Sequence, residues 1–409
     1  MSRSFFQEIN DEQVTGVAYK NVNIKKRIIH YFANISNATV PELSIELKLS
    51  PPKVSSLLNE LMEEGLVQEN GKVDSTGGRR PSIYGLVPDS AFFMGVEVMK
   101  EHLNIGLTDF QNNFISLKEK IPFALENNQH SLQALCQLIT EFVYALPVPK
   151  EKILGMCINL SGRVNHTTGY SYSFFNFHED PLTKVIESAL GIRAFLANDS
   201  QAMAYGEFVA GVVNDEKNVL FLNVDYGLGM GILINGQLYY GKSGYTGEIG
   251  HAPLFENEKI CQCGKKGCLE TEAAGWALVE KFKTRIAEGS TSLLSKSGKP
   301  IEQVELDDII LAAQKDDVLA IELIAEVGEN LGRGVALLIN LFNPELVVLG
   351  GRLATSKEYL QLPMRSAVNK YSLSLVNNDT QFKYSKLGTK AGIIGACLLV
   401  RNRLLALEG

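Results

Sequence analysis

The chain is 409 residues long with 45% hydrophobic and 21% charged residues, enough for two or three globular domains with cores of their own. Its formal net charge of −7 excludes a wholesale polyanion binder, so any nucleic-acid contact must be local; residues 1–85 hold 10 Lys+Arg and 10 Asp+Glu, and the acidity belongs to the rest. No stretch has the apolar length of a signal peptide or membrane span, because the run Val335 to Leu349 is broken by Asn340, Asn343 and Pro344; this predicts a cytoplasmic protein with no membrane contact.

From Asn23 to Ile35 the residues Ile24, Ile28, Phe32 and Ile35 recur at helical spacing, which predicts an amphipathic helix. Thr39-Val-Pro-Glu42 reads as a capping box opening a short helix with Leu43 and Leu47 inward. After a turn at Lys48-Leu49, Ser50 caps a third helix whose stripe is Val54, Leu57, Leu58 and Leu61, and Gly65 stops it. This is a helix-turn-helix. Lys53, Ser55, Ser56 and Asn59 on its third helix are the hydrogen-bonding set that a recognition helix presents to base edges and phosphates. Leu66 to Asp74, turning at Asn70-Gly71, predicts a β-hairpin wing. Gly77-Gly78-Arg79-Arg80-Pro81 follows as a flexible strip with two cations, suited to a narrow, electronegative minor groove. Residues 1–87 are thus expected to be a winged helix-turn-helix with a linker, binding DNA; a three-helix protein-interaction module is the alternative.

Beyond Pro88 the pattern changes to alternating strands and helices. Phe92 to Val98, Leu103 to Thr108 and Phe114 to Lys120 read as strands and Ser131 to Leu146 as a helix. A comparable set starts at Val219 to Val224, Met230 to Ile234 and Gln237 to Tyr240. Each set opens with an apolar strand ending in an acid, Glu97 or Asp225, which predicts an internal duplication. The expected lobes are 88–198, joined by a C-terminal helix from Gly388 to Leu407, and 199–387, around a cleft.

His251, Cys261, Cys263 and Cys268 stand within one short stretch, and half of the six cysteines fall within eight residues. A Cys₃His set with glycines at 264 and 267 suits one structural Zn²⁺ per chain, closed by four protein ligands with no open position for a catalytic water. The alternative is three small buried cysteines and a core histidine. Cys136, Cys157 and Cys397 lie in apolar surroundings and read as core fillers, in keeping with a reducing compartment.

The run Gly247-Glu248-Ile249-Gly250-His251 and the following Cys261-Gln-Cys263-Gly-Lys-Lys-Gly267-Cys268-Leu-Glu270 resembles the signature of the ROK family, the group of repressors, open reading frames and sugar kinases. The resemblance covers nearly the whole chain. It implies an α/β architecture in which the winged helix-turn-helix precedes a two-lobed actin-like (ribonuclease H-like) sugar-kinase fold, and the GGRRP strip is similar to the linker of the family's repressors.

Kinases of the family hold nucleotide phosphates on an Asp-x-Gly-Gly-Thr loop and a Gly-Thr-Gly-x-Gly loop. This sequence has Glu97-Val98-Met99-Lys100 and Asp225-Tyr226-Gly227-Leu228-Gly229 instead. Side chains fill the first loop, and Asp225 adds a like charge whose repulsion at about 4 Å is roughly 4 kcal/mol at a near-surface dielectric. The expectation is therefore no enzyme activity and no catalytic residue. Gly350-Gly351 resembles the family's adenosine-contacting turn.

The sugar side is better kept. The resemblance implies sugar contacts at Asn198, Asp199, Glu248, His251 and Glu270, with Asp199 where a kinase has its general base. Ser161-Gly162 takes the place of a Pro-Gly turn, and Ser173 stands where the family's ligand-binding Asn falls. The chain thus reads as a sugar-responsive transcriptional regulator, a repressor of carbohydrate uptake or catabolism genes released by a sugar or sugar phosphate. Its expected partners are a DNA operator, a sugar effector and a second copy of itself, as homodimer or homotetramer. The alternatives are an ATP-dependent sugar kinase with a fused DNA-binding module and a regulator controlled by a protein partner.

Overall fold

Helices Gly16–Ile35, Val40–Leu47 and Pro51–Glu63 build the N-terminal part of the computed structural model, which describes residues 5–8, 15–72, 80–296 and 298–405. The capping box forms as the sequence predicts: the Thr39 N–H donates to Glu42 Oε2 at 2.7 Å, and the Glu42 N–H to Thr39 Oγ1 at 3.5 Å. Ser50 occupies the cap position of the third helix without a side-chain bond, and Val54, Leu57, Leu58 and Leu61 are its buried residues. Gly65 ends it at φ +70°, a conformation that favours glycine.

The wing differs from the expectation. Strands β1 (Asn37–Thr39), β2 (Val67–Lys72) and β3 (Ser82–Leu86) form one antiparallel sheet in the order β1-β3-β2. Asn70-Gly71 is not the hairpin turn but a bulge inside β2, where the register shifts between Glu69 and Gly71. Asn70 is held there by donating to Asn37 Oδ1 at 2.6 Å and accepting from Gln68 Nε2 at 3.0 Å. Gly85 makes the room, since a Cβ at 85 would lie 2.5 Å from Asn70 Nδ2. The Gly-Gly-Arg-Arg strip therefore lies between the wing strands in sequence rather than after the wing. Arg79 is outside the described residues; Arg80 is exposed, just ahead of β3.

Two five-stranded sheets follow. The first contains β4 (Phe92–Val98), β5 (His102–Thr108), β6 (Phe114–Pro122), β7 (Ile153–Leu160) and, after the two-residue strands β8 (Val164–Asn165) and β9 (Tyr170–Ser171), β10 (Ala194–Asn198). Its order is β10-β7-β4-β5-β6. The second contains β11 (Val219–Val224), β12 (Leu228–Ile234), β13 (Gln237–Leu238), β14 (Leu346–Gly350) and β15 (Gln381–Tyr384), in the order β13-β12-β11-β14-β15. In both, the first strand is central, the next two continue antiparallel on one side, and the fourth lies parallel on the other. The duplication read from two apolar strands is thus a duplication of topology. Every residue of β4 and of β11 is buried, which is why both read as continuous apolar runs rather than alternating ones.

Contacts divide the chain into two compact units, Met1–Ala197 with Ala396–Gly409, and Asn198–Gly395. Residues from Ala396 onward fall in the first unit; in place of one helix from Gly388 to Leu407, a 3-10 turn at Gly388–Lys390 precedes an α-helix over Ala391–Leu405. Leu404 and Val400 pack so closely on β7 that a Cβ at Gly155 would stand 3.0 and 3.3 Å from them, and Arg403 donates to the Leu196 carbonyl at 2.8 Å. Among the described residues no helix is long and apolar enough to cross a membrane.

Candidate metal centre and ligand site

The Gly247-to-His251 step is shaped by backbone approach. A Cβ at Gly247 (φ +87°) would stand 2.0 Å from the Met230 carbonyl oxygen, and one at Gly250 would stand 2.6 Å from that of Leu228. Only glycine lets the step lie on β12, and this fixes where Glu248 and His251 emerge. The following knuckle closes through the Cys261 N–H to the Lys265 carbonyl and the Gly264 N–H to the Cys261 carbonyl, both at 2.8 Å. The predicted ligand atoms of His251, Cys261, Cys263 and Cys268 all lie within 4.8 Å of one another, so the four side chains can hold a metal ion. Cys261 Sγ is 3.4 Å from His251 Nδ1, and Cys263 Sγ is 3.7 Å from Cys268 Sγ. Burial, reinforced by Glu270, pushes the Cys261 thiol up, and burial with Cys263 raises Cys268. Cys263 is lowered: burial works against it, but the Lys265 N–H and its two thiol neighbours outweigh that.

Three of the expected ligand-site residues converge here. Glu270 Oε1 stands 2.8 Å from Cys261 Sγ and 3.5 Å from His251 Nδ1, while Glu248 Oε2 faces the other ring nitrogen, Nε2, at 3.6 Å. The imidazole is therefore between the two acids, with one edge toward the thiols. The Glu270 side chain is 8% exposed and that of Glu248 41%, so Glu248 is the acid open to a ligand. Asn198 and Asp199 lie where β10 runs into the helix Asp199–Ala210; Asn198 Oδ1 caps it by accepting the Gln201 N–H at 3.2 Å. Gln201, not anticipated from the sequence, donates from Nε2 to the Gly244 carbonyl at 3.1 Å and ties this helix to the loop that leads to Glu248. In the first unit, Ser161, Gly162 and Ser173 come together: Ser173 Oγ accepts the Arg163 N–H at 2.9 Å, and a Cβ at Gly162 (φ +84°) would stand 2.3 Å from it.

The two segments matched by resemblance to the kinases' phosphate loops make contacts of their own. The Met99 N–H donates to the His102 carbonyl at 3.0 Å across the β4–β5 turn. Asp225, read from the sequence as a like charge toward phosphates, is matched by Arg352. The guanidinium reaches its Oδ1 at 2.8 Å from Nε and 2.7 Å from the terminal nitrogen, and the Arg352 N–H reaches Oδ2 at 2.9 Å. Burial pushes the Asp225 carboxyl up, but Arg352 outweighs it and holds the group below the usual carboxylate range. A separation of 127 residues hid this pair from sequence reading. On the third helix of the head, Ser56 and Asn59 are exposed, whereas Lys53 and Ser55 are half-buried and Lys53 Nζ donates to Asn21 Oδ1 at 2.8 Å.

Residues 93–403 match the ROK family. The chain belongs to the ROK family. Residues 24–69 also match the bacterial regulatory protein, arsR family, over the helices of the head. The xylose repressor of Caldicellulosiruptor bescii is 29% identical over 367 residues, 89% of this chain and 92% of that repressor. A solved ROK family transcriptional regulator, a homolog of the E. coli MLC protein, superposes with a TM-score of 0.80 at 27% identity, covering 95% of this chain and 98% of that one. A ROK family glucokinase from Streptomyces griseus, solved with glucose and AMPPNP, gives 0.67 at 25% identity over 76% of this chain and 99% of its own. The ROK family thus holds regulators and kinases alike, and a DNA-binding head ahead of the ROK body makes this chain a ROK transcriptional regulator.

Proposed function

We propose that this protein is a repressor of carbohydrate genes whose hold on its operator is set by a small sugar or sugar phosphate. The observation that carries the reading is the union of a winged helix-turn-helix with a ROK body whose acids Glu248 and Glu270 flank one imidazole. Charged acceptors suit polyols, since a hydrogen bond to an ionised group contributes roughly 1.5 to 3 kcal/mol. Asn198, Asp199, Glu248, His251 and Glu270 are the assigned sugar contacts, with Ser161, Gly162 and Ser173 of the first unit. On the DNA side, Ser56 and Asn59 lead, with Lys53 and Ser55 beside them and Arg79-Arg80 in the minor groove. The protein acts as a homodimer or homotetramer on a two-fold operator.

We assign the head to residues 1–87 and the body to 88–409. The metal is one Zn²⁺ in a structural role. Tetrahedral zinc at about 2.3 Å from sulfur and about 2.0 to 2.1 Å from nitrogen sets S···S near 3.8 Å and S···N near 3.5 Å. The 3.7 and 3.4 Å separations fit both. His251, Cys261, Cys263 and Cys268 would hold it, and it would brace the segment carrying Glu248 and Glu270.

The kinase reading has Asp199 in its favour. Against it stand Val98, Met99 and Lys100 in the first phosphate loop and the Asp225–Arg352 pair in the second. Phosphate positioning is most of phosphoryl-transfer catalysis, so a regulator without turnover is the better reading. The test is operator binding titrated with pentoses and their 5-phosphates and with hexoses, N-acetylhexosamines and their 6-phosphates, alongside an ATP-coupled assay on the same panel. Release by one sugar class without turnover supports the proposal. Turnover of about 1 to 100 s⁻¹, the usual kinase range, overturns it.

A further inference from the structure

Behind Asp199 runs a row of buried polar side chains that the sugar reading does not use. Ser200 is 2% exposed and Asn223 is 9% exposed, inside the second unit. Asn223 Nδ2 donates to Ser200 Oγ at 3.3 Å, and Ser200 Oγ donates to Asp199 Oδ1 at 3.3 Å. The Ser200 N–H reaches the same Oδ1 at 2.7 Å. A serine hydroxyl has one proton; with the Asn223 amide donating to its oxygen, that proton is directed at the carboxylate. The row has one direction, from β11 through the helix start to Asp199.

The fold makes space for it. A Cβ at Gly229, directly across from Asn223 in the β11–β12 register, would lie 2.1 Å from Ser200 Oγ. Any other residue there would displace the hydroxyl. Asn223 Oδ1 points the other way, toward the Gly350-Gly351 turn, where a Cβ at Gly351 would come within 2.8 Å of it. Oδ1 is buried with no hydrogen-bond partner, so the 3.3 Å bond to Ser200 is the only one the Asn223 side chain makes among the described residues, with Nδ2 toward the serine.

We infer that Ser200 and Asn223 are positioning residues for Asp199: they hold its carboxylate in one rotamer, so that it meets a pair of sugar hydroxyls without reordering. This deepens the sugar reading of the same site and rests on it. Preorganisation lowers the cost of binding. At 3.3 Å both links are at the long end of the hydrogen-bond range, so the effect of losing them sits at the lower end for a charged acceptor, about tenfold in affinity.

The experiment uses the full chain and the variants Ser200→Ala, Asn223→Asp and Asp199→Asn. Asn223→Asp removes the donor at nearly constant shape and offers the serine proton a competing acceptor, which reverses the row. Crystal structures of the sugar-free proteins come first: one Asp199 carboxylate orientation is expected in the wild type, and a rotated or split one in Ser200→Ala and Asn223→Asp. An unchanged carboxylate in both variants overturns the inference, whatever any sugar does. Calorimetry with D-xylose and D-glucose follows. Ser200→Ala should weaken whichever binds by about tenfold, and should have no further effect in the Asp199→Asn background, the non-additivity of two groups acting as one. Equal losses in both backgrounds would make Ser200 merely structural. Absence of binding by either sugar to the wild type counts against the assigned effector class, and the carboxylate orientation still decides the positioning role.

Discussion

Removing the proposed zinc should loosen the second unit by an amount that the geometry of the knuckle bounds. Two thiolates 3.7 Å apart repel by about 4.5 kcal/mol at an effective dielectric of 20, and burial raises the Cys261 and Cys268 thiols while Cys263 alone is lowered, so without a cation at least two of the three thiols keep their protons. Zinc reverses this by taking the thiolates, and binding must therefore expel about two to three protons per ion near pH 7. Free zinc at a hundredfold over its dissociation constant stabilises the folded state by about 2.7 kcal/mol, and for a unit of about 200 residues that is a rise in Tm of roughly 5 to 11 °C. The assay is a thermal melt before and after chelation, with metal content measured on the same samples and proton release read in weak buffer. The sign with pH is fixed: protons compete for the sulfurs, so affinity falls as pH falls. A Tm indifferent to chelation, or zinc uptake with no proton release, would refute the reasoning, as would full stability of Cys263→Ser.

Three further outcomes are expected. Glu248→Gln should raise the effector concentration needed for operator release by roughly tenfold to a hundredfold while leaving effector-free DNA affinity unchanged, read from titration midpoints. Arg79→Ala combined with Arg80→Ala should weaken operator binding and flatten its salt dependence by about one unit of slope for each phosphate no longer neutralised, measured by fluorescence anisotropy across a salt series. His166, held by burial and then by Arg403 down to about 4, is neutral in the folded state where the unfolded chain is already protonated. Its folded pKa is depressed, so its contribution is intact above about 6.5 and is lost as pH falls toward 4; His166→Asn should make the acid decline in Tm shallower over that window.

Local chemistry was legible where one segment decides the outcome. The Thr39–Glu42 box, the buried stripe of the third helix and the run of β4 are each set by residues a few positions apart, and the structure places them as read. The cluster of His251, Cys261, Cys263 and Cys268, which can hold a metal ion, was legible because its members fall within 18 residues. Asn70-Gly71 was misread because its turn signal is local, whereas the pairing with β3 and the Asn37 hydrogen bond that turn it into a bulge come from afar. The same distance hid Arg352 behind Asp225 and Gln201 behind the Gly244 loop: each pair joins positions whose spacing carries no periodic signal.

The closure of the first unit by residues from 396 onward also sets the order of events during synthesis. Val400 and Leu404, which cover β7, are made about 200 residues after the sheet they complete. At roughly 5 to 20 residues per second, that strand waits on the order of 10 to 40 seconds on the ribosome with its apolar surface uncovered. The second unit, Asn198–Gly395, also waits, since β11 needs β14 from more than 100 residues later, but it is continuous in sequence and is complete before the segment that closes the first unit is made. The nascent chain is most vulnerable to aggregation and chaperone capture through its earlier half, and changes in the 396–405 segment should lower the yield of folded protein more than they lower the melting temperature of what does fold.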